Sequence, residues 1–229
     1  MSFYFLFGLG INCTTSTIHP KAKIQNIDYL INQGKLLWDQ RIDSLALDKA
    51  EHFINIAHKQ RENNFELSVL YSQISFTRAY FFEKNNQIQD SLFLQGSQSC
   101  QKAVMSHEDF IPIYILSKGD STFKLLSAIA DAPISIIPGL YWWAVNLGMY
   151  LNNQPVLDRI KQRELLEVIM HRVISLDPGF NFSGPYRFFG SLYTRIPGIE
   201  LSQSKTYFDQ AITANPEYLG NKVLMAQFY

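Results

Sequence analysis

From Ile27 onward, apolar residues recur with the period of a helix. Ile27, Leu30, Ile31, Gly34 and Trp38 fall at i, i+3, i+4, i+7 and i+11, one face of a first helix. Asp43 and Ser44 offer an N-cap for a second, whose stripe is Leu47, Ala50, Phe53, Ile54 and Ala57. The polar stretch Lys59–Asn64 ends it. Leu67, Leu70, Tyr71 and Ile74 open a third helix running to about Phe82, and Glu83–Gln87 is a turn. A fourth helix, about Ile88 to Met105, carries the small residues Ser91, Gly96, Ser99, Cys100 and Ala103, which let a neighbouring helix approach closely. Phe123–Ala130 predicts a short helix, and Pro133 and Pro138 bracket a segment that cannot be one continuous helix. Gly139 to about Asn152 is apolar enough to be buried, but too short, and too interrupted by Asn146 and Gly148, to read as a membrane span. Pro155 opens a long helix through Val156, Ile160, Leu166, Ile169, Val173 and Leu176. With no sustained period of two and no Asn-Gly hairpin, the pattern predicts an all-α fold, a solenoid or bundle of antiparallel helix pairs.

The C-terminal part repeats itself. Ile174-Ser175-Leu176-Asp177-Pro178-Gly179-Phe180 aligns with Ile212-Thr213-Ala214-Asn215-Pro216-Glu217-Tyr218, so Pro178 and Pro216 stand one repeat apart. That spacing is close to a tetratricopeptide unit, a helix-turn-helix of about 34 residues whose second helix ends near a proline. The extra length fits the loop at Ile196-Pro197-Gly198. Asp or Asn before Pro ends a helix, and the aromatic two residues on packs as the next begins. Trp38, Ala50 and Phe53 fit a more decayed unit near the N-terminus. The fold expected is therefore a tetratricopeptide-like helical repeat.

Composition removes several classes. Hydrophobic residues make up 47% and charged residues 17%, as in a globular chain and not a disordered one. The chain is rich in aromatics, with 17 Phe and 12 Tyr. Its 20 Lys+Arg balance 20 Asp+Glu, which leaves no electrostatic footprint for nucleic acid. Two cysteines, Cys13 and Cys100, cannot form a disulfide framework or a four-cysteine zinc site, and at most bridge each other.

The N-terminus poses a choice. Phe3–Ile11 is almost wholly apolar, too short to span a bilayer and of the length of a signal-peptide hydrophobic region. Cys13 follows, preceded by Leu9-Gly10-Ile11-Asn12, a loose version of the bacterial lipobox in which the cysteine is lipidated. Thr14–Thr17, His19 and Pro20 then read as a polar tether. The other reading makes Phe3–Ile11 a first buried strand or helix. The organisation expected is a candidate lipoprotein signal at 1–12, a tether at 13–25 and a helical-repeat domain at 26–229.

The chain has no catalytic or metal motif that we recognise. None of His19, His52, His58, His107 and His171 pairs with another at i+3 or i+4, and HExxH, GxSxG and P-loop patterns are absent. Gly8-Leu9-Gly10 lacks the third glycine of a dinucleotide fingerprint. Glu164 and Glu167 sit among Lys161 and Arg163 as a solvated face. No cofactor or catalytic residue is assigned, and an enzyme is disfavoured. Two features admit a functional reading beside a structural one. Tyr141, Trp142 and Trp143 spread over about 200° of a helix, more than a single core face of a little over 100°. They are core packing, or part of them lines an apolar pocket or pore. Arg187, after Pro185 and Tyr186, contacts backbone carbonyls or a carboxylate, or meets an anionic group or partner.

The C-terminal stretches LDPGF (176–180), SGPYRFFGSLYTRIPG (183–198) and YFDQAITANPEYLGNKVLMAQFY (207–229) resemble one family. It is the T-component lipoproteins (TatT) that accompany tripartite ATP-independent periplasmic (TRAP) transporters. Its pattern runs Gly-Gly-Pro-His-Arg, a short helix ending in a Pro-Gly turn, then a repeat helix closing in Pro-Asp/Glu-Tyr-Leu. Gly184, Pro185, Arg187, Gly190, Tyr193, Pro197, Gly198, Phe208, Ala211, Pro216 and Tyr218 match it, while Ser183 replaces the first Gly and Tyr186 the His. The resemblance implies a periplasmic lipoprotein lipidated at Cys13 and touching the membrane through that anchor alone. It also implies a homo-oligomer, a trimer, that partners the transporter's substrate-binding protein and assists uptake of a small, apolar solute. Tyr141, Trp142, Trp143, Tyr186 and Arg187 are the candidate ligand or partner residues. The alternative is a helical-repeat scaffold for protein–protein binding with no transport role.

Overall fold

A computed structural model describes residues 20–227. Among them are eleven α-helices and no strand. In chain order they are α1 (Pro20–Trp38), α2 (Ser44–Gln60), α3 (Phe65–Thr77), α4 (Asn86–Met105), α5 (Ile111–Leu116), α6 (Ser121–Ala130), α7 (Ile137–Leu151), α8 (Val156–Leu176), α9 (Phe180–Tyr193), α10 (Leu201–Ala214) and α11 (Leu219–Ala226). The ends are set by side chains that take up the free N–H groups of a first turn. Asp43 accepts from Leu45 N–H, Asn64 from Leu67 N–H, Asn85 from Gln87 and Ile88 N–H, and Asp120 from Phe123 N–H. Proline sits in the first turn of α5 and α7, where its missing N–H costs nothing. Helix α1 begins at Pro20, inside the stretch 13–25 expected as tether; Phe3–Ile11 and Cys13 lie outside the described residues.

Two departures from the expected pattern have physical causes. The third helix does reach Phe82, but its last turn, Arg78–Phe82, is π-helical. A π turn inserts one extra residue, so a stripe read at the ordinary helical period cannot register it. Helix α5 has six residues, under two turns, and offers no period to read.

Packing follows the predicted faces except at the start of α8, where Val156 and Ile160 are exposed. Short turns pair α1 with α2, α3 with α4 and α9 with α10, while α7 lies against α4, α8 and α3. The apolar faces close into two cores. The larger gathers Ile129, Ile136, Leu140, Trp143, Leu166, Ile169 and Phe189. The smaller gathers Ile27, Leu30, Leu47, Ala50, Ile54, Leu67, Tyr71 and Ile74. Helix α3 feeds both, with Val69 in the first and Leu67, Leu70, Tyr71 and Ile74 in the second.

The small residues of α4 bring it against α7. A Cβ at Gly96 would lie 3.0 Å from the Asn146 side chain. Asn146, which interrupts the apolar run of α7, is fully buried, and its amide donates to Ser72 O (3.3 Å), Ser72 Oγ (2.9 Å) and Trp142 O (3.1 Å). The stretch Ile134–Leu151 is long and apolar enough to cross a membrane, yet more than half of it is buried in the protein, as in a core helix. Cys100 is a free, fully buried thiol in this seam, and burial pushes its pKa up to about 12, so it stays protonated and unreactive.

His58 ties the two cores together. Its Nε2 lies 3.0 Å from Ser99 Oγ on α4 and 3.2 Å from Ser68 Oγ on α3, and its ring stacks on Tyr71. Burial holds the imidazole below its ordinary pKa; Lys102 pushes the same way and the Glu62 carboxylate opposes. A histidine depressed in the folded state stabilises the fold above its unfolded pKa of about 6.5 and loses that contribution as pH falls below it. The urea midpoint should therefore drop between about pH 7 and pH 5 in the wild type, and drop less in His58→Gln. Equal drops in the two proteins would remove His58 from this role.

Candidate functional site

Among the described residues, the non-glycine residues with positive φ all fall at the start of α9. Asn181, Phe182 and Ser183 all have positive φ (48°, 58° and 60°), a left-handed turn without a glycine. Each such residue costs roughly 1–2 kcal/mol, so the turn persists only because its surroundings hold it. The right-handed helix resumes at Gly184-Pro185, with proline in its first turn.

Arg187, one turn on, is the clamp. It is 8% exposed, and its two terminal nitrogens donate to neutral oxygens. Nη1 reaches Phe182 O (3.2 Å) and Asn221 Oδ1 (2.6 Å); Nη2 reaches Asn181 O (3.2 Å) and Tyr141 OH (3.3 Å). The guanidinium also lies 4.9 Å from the Tyr218 ring centre. Only a planar fork with donors on both ends satisfies this set. Asn181 Nδ2 donates to Tyr141 OH (2.9 Å), and Asn215 Nδ2 donates to Ser183 Oγ (2.6 Å). Asn221, fully buried, donates to Ala211 O (2.9 Å) and Phe182 O (3.3 Å). The start of α9, the end of α10 and α11 are thus locked together on Tyr141 of α7. Gly184 has to be glycine, because a Cβ would sit 2.3 Å from Tyr141 OH. Phe182 projects outward and stacks on Tyr218, with ring centres 4.5 Å apart.

From this polar knot an aromatic strip leads to the surface. Phe180 meets Tyr141 (5.2 Å), Tyr141 meets Trp142 (5.3 Å), and Trp142 meets Phe76 (5.4 Å). Phe76 stacks on Tyr80 (5.5 Å), and Tyr80 touches Phe81 (4.8 Å). Phe180, Trp142, Phe76 and Tyr80 are half-buried, and Phe81, on the π turn, is 67% exposed. The wide turn allows the adjacent Tyr80 and Phe81 rings to close the strip at its outer end.

The five residues expected to meet a ligand or partner fall in three places. Tyr141 and Arg187 meet in the knot, and Trp142 continues the strip. Trp143 points the other way and is buried in the larger core. Tyr186 stands apart, facing Tyr207 at 6.5 Å, near Tyr193, whose hydroxyl donates to Glu167 (3.0 Å). Burial and the Glu167 carboxylate push the Tyr193 phenol up, so it remains a donor. Of the two structural readings of Arg187, it is the carbonyl contact that is formed, with no carboxylate among those four acceptors. Asn181, Asn215, Tyr218 and Asn221 join the knot without being candidates from the sequence. Their signal there is indirect, since all but Asn181 fall in the stretches that carry the family resemblance. Among the described residues no group of three His, Cys, Asp or Glu is placed to hold a metal.

The profile of the TRAP transporter T-component family matches residues 72–229, more than two thirds of the chain. The chain belongs to the TRAP transporter T-component family. The match begins within α3 and takes in the whole aromatic strip and the Arg187 knot. The T-component profile leaves α1, α2 and the first turns of α3, with most of the smaller core, outside. No curated protein matches this T-component.

Proposed function

We propose that this chain is the periplasmic, lipid-anchored partner of a TRAP transporter's substrate-binding protein and assists solute uptake. The observation that carries the reading is the family match over residues 72–229. In this reading Cys13 bears the anchor, and the chain acts as a homo-oligomer, a trimer, of tetratricopeptide-like subunits. Helices α8 and α10 support the repeat, since each ends two residues before a proline, at Leu176 and Ala214.

The solute passes along the strip of Phe81, Tyr80, Phe76, Trp142 and Tyr141. Phe81 is exposed, Tyr80, Phe76 and Trp142 are half-buried, and Tyr141 closes the inner end as a buried ring; such a contiguous aromatic lining suits an apolar ligand. The Arg187 knot fixes the inner end of the strip and its Tyr141 hydroxyl, and so acts by positioning.

The test is sedimentation of the purified chain with the TRAP substrate-binding protein of the same genome. A complex with a dissociation constant of about micromolar or tighter is expected. Absence of a complex at concentrations well above that value, with both proteins folded, would overturn the partnership.

A further inference from the structure

Helix α5 is built against expectation for a soluble surface. Its sequence is Ile-Pro-Ile-Tyr-Ile-Leu, and none of its residues is buried. Ile115 is 65% and Leu116 79% exposed, and Ile111 is exposed beside them. Helix α6 packs on α5 and adds an exposed Phe123. Exposed Ile134 lies close by, because its neighbour Ser135 donates to Asp109 (2.6 Å), just before α5. The packing of α6 on α5 brings the exposed Ile111, Ile115, Leu116 and Phe123 to one region of the surface, and an exposed apolar surface of that kind marks a place that meets something other than water.

The chemistry of its margins favours lipid over protein. The face is aliphatic with one Phe, and holds neither Trp nor Arg, the anchors that protein partners favour. Cations stand where it ends. Lys118 follows the exposed tip, and the Lys124 ammonium lies 4.8 Å from the centre of the half-buried Tyr114 ring. A tyrosine and lysines at the edge of an aliphatic patch are the pattern of a segment lying in a bilayer interface. The nearby acids are taken up or set back. Asp120 caps α6, Asp109 accepts from Ser135, and Glu108 precedes the helix at the end away from the tip.

We propose that α5 and the start of α6 form a membrane-contacting surface. Ile111, Ile115, Leu116 and Phe123 enter the headgroup–acyl boundary, and Lys118 and Lys124 sit at the level of the lipid phosphates. The contact is independent of the anchor proposed at Cys13. It orients the chain on the membrane, whereas an anchor alone would leave it free to tumble on its tether.

The experiment uses the full chain carrying Cys13→Ala, so that no acyl group contributes, and vesicles of phosphatidylethanolamine with phosphatidylglycerol. That protein should sediment with the vesicles. Adding Ile115→Asp and Leu116→Asp should lower the partition coefficient at least about tenfold, since each methylene withdrawn from the bilayer counts about 0.8 kcal/mol. The melting temperature should not change, because both side chains are exposed. In a second variant, Lys118→Glu with Lys124→Glu should weaken binding to these vesicles and leave binding to pure phosphatidylcholine vesicles nearly unchanged. The proposal is overturned if the Cys13→Ala chain ignores vesicles, or if the aspartate variant binds them equally well. It is also overturned if that variant changes only the oligomeric mass in solution, which would make the face a contact between copies of this chain. Loss of Cys13 acylation in cells would leave all of these outcomes untouched, so the anchor and the surface fail separately.

Discussion

Arg187→Ala should destabilise the protein by about 3–5 kcal/mol, more than is usual for a polar substitution. The reason lies in what it abandons. Four acceptors lose a donor at once: Asn181 O, Asn221 Oδ1, Phe182 O and Tyr141 OH, of which Phe182 O keeps Asn221 and Tyr141 OH keeps Asn181. An unpaired buried acceptor costs about 1–3 kcal/mol, partly offset where water enters. The left-handed turn is also released, and relief of its strain returns part of that loss. Arg187→Lys should rescue little, because a single ammonium cannot reach acceptors on both ends of the fork. Denaturant unfolding measures the loss, and amide exchange at residues 180–184 should accelerate before the rest of α9. A loss under about 1 kcal/mol would mean that Tyr141, Asn215 and Asn221 hold the turn unaided.

Trp143→Ala should cost a similar 3–5 kcal/mol by a different route, a cavity in the larger core. Trp143 is among the largest fully buried side chains, packed among α4, α7 and α8 residues of that core. For a chain of this size each kcal/mol lowers the melting temperature by about 2–4 °C, so a fall of roughly 10 °C is expected in calorimetry. Trp142→Leu is the contrast. Its ring is half-exposed and touches Phe76 and Tyr141 edge-on, so it should cost about 1–2 kcal/mol at most. If Trp142 lines the solute path, this variant should alter the affinity for an environment-sensitive apolar dye while keeping its fold. Unchanged dye affinity would favour packing as the sole role of Trp142.

Helices with an amphipathic stripe are legible in the chain because burial imposes the period. Leu47, Ala50, Ile54 and Ala57 share one predicted face and are all buried. Helix α5 is not legible, since six residues carry no period, nor is the π turn at Arg78–Phe82, which the period treats as ordinary helix. The site is half visible. Three adjacent aromatics have to diverge, and they do, Trp143 inward and Trp142 toward the strip. The left-handed turn is hidden because only Asn181 is of a type that tolerates such backbone locally. Phe182 and Ser183 adopt it because Arg187, Asn215 and Asn221, distant in sequence, hold them there.

The sharing of α3 between two cores bears on how the molecule comes apart. Its residues Leu67, Leu70, Tyr71 and Ile74 close the α1–α2 layer, while Val69 belongs to the body that carries the T-component match. Besides this helix, His58 bonds the layer to α3 and α4 through two serine hydroxyls. Such an arrangement is a hinge of cooperativity, two folding units coupled through a shared helix, the Lys102–Glu62 and Arg78–Asp48 ion pairs, and the His58 latch. Weaken the latch with acid and the units need no longer melt as one. The heat that unfolds the body then ceases to measure the layer, and a single transition divides in two.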